Sequence, residues 1–116
     1  MERSTKAEIV TNFHGDVVVL SFSGELDLCT CKKFREAFLS LDKGYRKVIF
    51  DFRETSYLDS EGLKVILQCR DEIMNQNGSV SMICGDRIKR TIFITKVDKL
   101  IPVCPSLEDA ILLAAS

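Results

Sequence analysis

Runs of β-branched and aromatic residues alternate with helix-spaced apolar stretches along almost the whole chain. This alternation limits the fold more than any single motif does. It opens with two extended runs, Ala7 to Phe13 and Asp16 to Phe22, joined through His14-Gly15. A short Gly-containing link between such runs predicts a hairpin, with Gly15 supplying a backbone angle that a Cβ resists. His14 is then a turn residue, since it is the sole histidine and has no visible partner for base catalysis. Gly24-Glu25-Leu26-Asp27 ends the second strand. Phe34, Ala37, Phe38 and Leu41 follow at helical spacing, with Thr30 or Asp27 as cap and Lys43-Gly44 as stop.

Val48 to Phe52 is apolar on both faces, as a central strand covered by helices would be. Arg53 to Leu58 reads as a loop. Asp59-Ser60-Glu61-Gly62-Leu63 opens a second helix, striped by Leu63, Ile66, Leu67, Ile73 and Met74 and stopped by Asn77-Gly78. Val80 to Cys84 is a further core strand. Gly85-Asp86 leads into a helix carrying Ile88, Ile92 and Phe93. Leu100 to Val103 is a brief extended piece, in which Pro102 suits an edge. Ser106, with Glu108 and Asp109, opens a last helix striped by Leu107, Ala110, Ile111 and Ala114. The pattern predicts one α/β domain over residues 1–116, with its core from about 7 to 114. Its sheet is mixed and four- to five-stranded, an N-terminal hairpin followed by parallel strands, with about four helices.

Composition narrows the function classes. With 46% hydrophobic residues the chain is not a disordered tail. Sixteen Lys+Arg against seventeen Asp+Glu leave a net charge of -1, without the cationic surplus that drives nucleic-acid binding. No apolar run approaches the ~18 residues that span a bilayer, and Met1 to Lys6 is polar with no signal-peptide core. Five cysteines are an odd number with no disulfide spacing, which predicts reduced thiols and a cytoplasmic location. Cys29-x-Cys31 lacks the two-residue spacer of a redox motif, and no second pair completes a zinc site. Dinucleotide, nucleotide, hydrolase-elbow and zinc-protease motifs are all missing, so the expectation is a protein without catalytic residues, metal or cofactor of its own.

In open α/β sheets, ligands and partners meet the loops at the carboxyl ends of the strands. Two polar segments map there, Gly24-Glu25-Leu26-Asp27 and Thr55 to Gly62, and they form one surface if their strands are neighbours. Asp59 or Ser60 stands where a helix cap belongs. On one reading Ser60 is only that cap. On the other it is a modifiable hydroxyl at the positive end of a helix, where a phosphate adds about -1.5 to -2 charges without unfolding anything.

The segment Tyr57-Leu58-Asp59-Ser60-Glu61-Gly62-Leu63, following Val48-Ile49-Phe50-Asp51-Phe52, resembles the signature of STAS domains. More narrowly it resembles the bacterial anti-sigma factor antagonists. Gly24-Glu25-Leu26-Asp27 resembles that family's second motif, and Pro105-Ser106-Leu107-Glu108-Asp109-Ala110 its terminal helix. The resemblance implies a serine switch at Ser60, phosphorylated by a cognate anti-sigma factor that is also a serine protein kinase. The unmodified form would bind that kinase and free a sigma factor; the modified form would let go, and a PP2C-type phosphatase would reset it. ATP and magnesium would belong to the kinase. Asp27, Asp59, Glu61, Gly62 and Leu63 fall near the implied partner surface. Glu61 stands where many relatives have Ser or Thr, and Cys29 and Cys31 occupy the loop after the second motif, where polar residues are expected. Two other readings remain: a STAS module that binds a partner without being phosphorylated, and a receiver-like protein accepting phosphate on Asp51. The receiver needs an acidic metal-binding cluster, for which Asp16 is one carboxylate.

Overall fold

A computed structural model of the chain describes residues 7–42 and 44–116. Met1 to Lys6, and the Lys43 of the expected helix stop, lie outside the described residues. Strand β1 (Glu8–His14) pairs antiparallel with β2 (Val17–Leu26), in an unbroken register from Glu8 opposite Ser23 to His14 opposite Val17. The hairpin loop is Gly15-Asp16, with Gly15 at φ +63°. His14 therefore ends a strand instead of sitting in the turn, one residue from its expected place.

Two strands differ from expectation together. β2 does not end at Gly24. The backbone takes φ +106° there, the register shifts between Gly24 and Glu25, and pairing continues to Leu26. Its new neighbour is β4 (Thr55–Leu58), within the segment expected to be a loop. β3 (Lys47–Phe52) runs parallel to β2 as far as Asp51 opposite Ser21, and β4 takes over with Thr55 opposite Gly24. The Thr55 hydroxyl donates to the Phe22 carbonyl at 2.8 Å, which fixes the handover. With β5 (Ser79–Cys84) parallel to β3, the order is β1-β2-β3-β5, with β4 beside β2. The extended piece near Pro102 borders β5: Met82 donates to the Pro102 carbonyl at 2.9 Å, and Cys104 donates to Met82 at 2.8 Å.

Period-two alternation sends side chains to both faces. On one, Val18, Leu20, Phe22, Val48, Phe50, Phe52, Val80 and Met82 pack under α1 (Cys31–Leu39), α2 (Ser60–Asn75) and α3 (Asp86–Ile94). Phe34 of α1 is the centre of an aromatic cluster, with its ring 6.0, 5.5 and 5.9 Å from those of Phe22, Phe50 and Phe52. On the other face Val17, Val19, Ile49 and Ile83 meet α4 (Leu107–Ala115) through Ala110. The helices thus cover both faces, as the doubly apolar β3 requires.

The helix stripes are narrower than expected. α1 stops at Leu39, before Lys43-Gly44, because Ser40 turns its hydroxyl onto the Ala37 carbonyl (2.7 Å) and Asp42 folds a separate turn around the Gly44 N–H (2.9 Å). In α2 the buried residues are Gly62, Val65, Ile66, Cys69 and Ile73, so the stripe is rotated from the expected one and Met74 is 45% exposed. Of the apolar residues the third helix carries, Ile88 and Ile92 are buried and Phe93 is 44% exposed. The α2 stop is as expected. Asn77, at φ +61°, donates to Met74, and Gly78 donates to Ile73 at 2.9 Å, the paired bonds of a left-handed helix terminus. The five cysteines are free, and no helix among the described residues is long and apolar enough to cross a membrane.

Candidate functional site

The two polar segments are brought together because β2 and β4 are neighbours. Their junction is Asp59, the N-cap of α2. Its extended backbone (φ -104°, ψ -175°) turns the carboxylate back over the first helical turn, where Oδ1 accepts the Gly62 N–H at 2.9 Å. The other oxygen, Oδ2, accepts the Leu28 N–H from the loop after β2 at 3.1 Å. One carboxylate therefore caps the helix and ties the neighbouring loop to it. Asp27 holds that loop from within: its Oδ1 accepts the N–H groups of Cys29 (2.9 Å) and Thr30 (3.2 Å). Of the two expected caps for α1, Thr30 has the cap position, but its hydroxyl points back to the Glu25 carbonyl at 2.6 Å and makes no cap bond.

Gly62 is buried against the end of β2. A Cβ there would lie 2.2 Å from the Leu26 carbonyl oxygen, so only glycine lets the start of α2 come so close. Leu63 is half-buried against the core. Of the expected partner-facing positions, Gly62 thus offers no side chain to a partner, and Asp27 and Asp59 spend their carboxylates on backbone. Ser60 is the first residue of α2, exposed to solvent, with half-buried Glu61 beside it in the same turn. The unsatisfied N–H groups of a helix start carry about half a positive charge. Sequence reasoning overlooked two exposed apolar neighbours: Leu28 (68% exposed), bonded to the Ser60-bearing turn through Asp59, and Tyr57 (52%) on β4. An apolar residue in a polar loop was the available signal for Leu28.

The remaining candidates fall elsewhere. Asp51 is nearly buried, and its carboxylate accepts from the Arg53 backbone N–H (3.1 Å), from the Arg53 guanidinium (2.9 and 2.8 Å) and from the Ser21 hydroxyl (3.2 Å). Burial alone would raise its pKa, but the Arg53 bonds and charge, with Ser21, outweigh it and hold the group below its ordinary 3.8. Asp16 lies at the hairpin, at the opposite end of β2 and β3, and pairs there with Lys47 at 3.1 Å. The acidic cluster a receiver needs does not assemble from these two. His14 is at that same far end, roughly 30 Å from the carboxyl end of β2 at ~3.3 Å per strand residue. It is no base for Ser60. Among the described residues, no group of three His, Cys, Asp or Glu could hold a metal ion.

The geometry is that of an exposed serine at a helix start whose cap carboxylate also holds the loop after β2. The STAS domain family model matches residues 8–110, and the chain belongs to that family. It is 24% identical over 90 residues to a STAS-domain containing protein of Pseudomonas aeruginosa (strain UCBPP-PA14), covering 77% of this chain and 89% of that one. Among solved structures it is similar to an anti-sigma factor antagonist from Mycobacterium paratuberculosis, at TM-score 0.88 and 24% identity, with both chains covered in full. It is also similar to SpoIIAA, an anti-sigma factor antagonist. The unphosphorylated form matches at TM-score 0.73 and 18% identity, over 90% of this chain and 93% of that one. The phosphorylated form matches at TM-score 0.69 and 17% identity, over 91% and 98%.

Proposed function

We propose that this chain is a cytoplasmic anti-sigma factor antagonist. Unmodified, it docks on a cognate anti-sigma factor that is also a serine protein kinase, and so releases a sigma factor. Transfer of the ATP γ-phosphoryl group to the Ser60 hydroxyl ends that docking, and a PP2C-type phosphatase restores it. ATP and magnesium are held by the kinase, and this chain acts as partner and substrate rather than catalyst.

The observation that carries the reading is the division of labour at the helix start. Asp59 makes the cap bond to Gly62, so Ser60 is not needed as a cap, and it is exposed. A phosphate there meets the positive end of α2, which favours an anion, while Asp59 and Glu61 add like charge around it. The balance leaves the scaffold intact and makes the surface strongly negative, enough to repel a partner that fits Leu28 and Tyr57 when Ser60 is bare. The names of the similar structures support this, SpoIIAA having been solved in both phosphorylation states.

The test is incubation with the cognate kinase and ATP, followed by mass spectrometry. One phosphate at Ser60, stable to hydroxylamine, is expected, and Ser60→Ala should bind the kinase without being modified. A hydroxylamine-labile phosphate would point to Asp51. Binding with no phosphate at all would favour the interaction-module reading.

A further inference from the structure

We infer that β1 is a self-pairing edge through which two copies of this chain associate. β1 is the last strand on its side of the sheet, so its outer row of backbone N–H and C=O groups faces no other strand among the described residues. Natural edge strands are usually protected by lysine, proline, a bulge or shortness. β1 has seven residues, none of them Lys or Pro, and its ladder with β2 has no shift. The central residues Ile9 to Phe13 carry no charge, and Val10 and Phe13 are 53% and 55% exposed.

The occupant is argued from the strand's own chemistry. In an antiparallel pair of two β1 strands centred on Thr11, all seven residues are matched. Ile9 then stands opposite Phe13 of the second copy, an apolar pair, and Glu8 opposite His14, a carboxylate facing an imidazole N–H donor. Because opposite residues have the same parity, each pair lies within a single face: Ile9, Thr11 and Phe13 on the side of the aromatic core, Glu8, Val10, Asn12 and His14 on the other. Moving the centre to Val10 or Asn12 shortens the ladder and separates Glu8 from His14. The strand is complementary to itself in one register. The result is one continuous sheet through two copies, with two Ser60 surfaces on one particle.

The first experiment is sedimentation velocity on the full chain from about 1 µM to about 1 mM. The expected result is a weight-average mass rising from the 13.1 kDa of one chain toward twice that value. Val10→Lys, a change at an exposed position, should weaken association about tenfold or more with an unchanged circular dichroism spectrum. Glu8→Lys should also weaken it, and adding His14→Glu should restore it by reversing the pair. Thr11→Cys should cross-link two copies through residue 11 under mild oxidation, since opposite Cα atoms in such a ladder are ~4.5–5.5 Å apart. A chain that stays monomeric to 1 mM would overturn the inference. So would a dimer insensitive to Val10→Lys, or one whose cross-links map to another strand or helix. Should Val10→Lys disturb the fold, the charge reversal and the cross-link decide.

Discussion

Gly62→Ala pits two known effects against each other. Alanine is favoured over glycine in a helix by about 1 kcal/mol, and by propensity alone the change stabilises. At this position the new methyl would sit 2.2 Å from the Leu26 carbonyl oxygen and 3.0 Å from its carbon. Ordinary contact begins at 3.4 Å, so the helix start must lift by ~1 Å away from backbone that cannot rotate aside. Overpacking of this kind costs about 1–3 kcal/mol. Lifting also breaks the Asp59 to Leu26 backbone bond, already 3.4 Å long, and loosens the Asp59 link to Leu28, worth about 1 kcal/mol more. The net expectation is destabilisation by about 2 kcal/mol, a fall in Tm of roughly 5–10 °C. Urea and thermal denaturation measure it, with exposed Lys64→Ala as a control that should move stability by less than ~0.5 kcal/mol. A Gly62→Ala protein as stable as the parent, or more so, would refute the claim that close approach to Leu26 fixes the start of α2.

Asp59→Ala should cost about 1–2 kcal/mol in a denaturant melt and expose the Leu28 amide to hydrogen exchange, whereas Asp59→Asn, still able to cap Gly62, should cost less than half as much. Equal losses for the two variants would mean that the cap bond to Gly62, which Asn keeps, contributes nothing, and no loss at all in Asp59→Asn would mean that the bridge to Leu28 is immaterial. Asp51 has its folded pKa below 3.8, so between that lowered value and 3.8 the unfolded chain binds more protons and stability rises with pH. Its contribution is complete above about pH 4 and is lost as pH falls through the lowered value, so Asp51→Asn should flatten the acid limb of a stability profile and cost roughly 1 kcal/mol at pH 7. Iodoacetamide at pH 8 should label exposed Cys29 quickly and leave Cys69 untouched in the folded protein, because burial pushes the Cys69 thiol up to about 12. Mass spectrometry of the labelled peptides reads the order directly.

The legible parts of the fold were those whose cause is local. Gly15 can take a positive φ, and it marks the hairpin; Asp59 can cap, and it marks the start of α2; Asn77-Gly78 can close a left-handed terminus, and they mark its end. β4 was illegible because four residues are too few for a period to register. Thr55 to Leu58 becomes a strand only by pairing with Gly24 to Leu26, about thirty residues away and beyond a register shift. The burial stripe of α2 was misplaced for a related reason. Gly62 seats the helix on Leu26, and that contact sets which of Leu63, Val65, Cys69 and Met74 face the sheet. At the site, the exposed serine at a helix start was visible in sequence. The Asp59 bridge was not, because Leu28 and Asp59 are separated by 31 residues and joined by a backbone N–H that no side-chain pattern announces.

The most direct measurement compares the kinase affinity of the bare protein with that of the protein carrying phosphate on Ser60, by calorimetric titration, alongside the thermal melts of both forms. The switch predicts affinity lower by a factor of about ten or more for the phosphorylated form, with melting temperatures within a few degrees of each other. Equal affinities, or a phosphorylated form that binds weakly only because it has lost its fold, would contradict it.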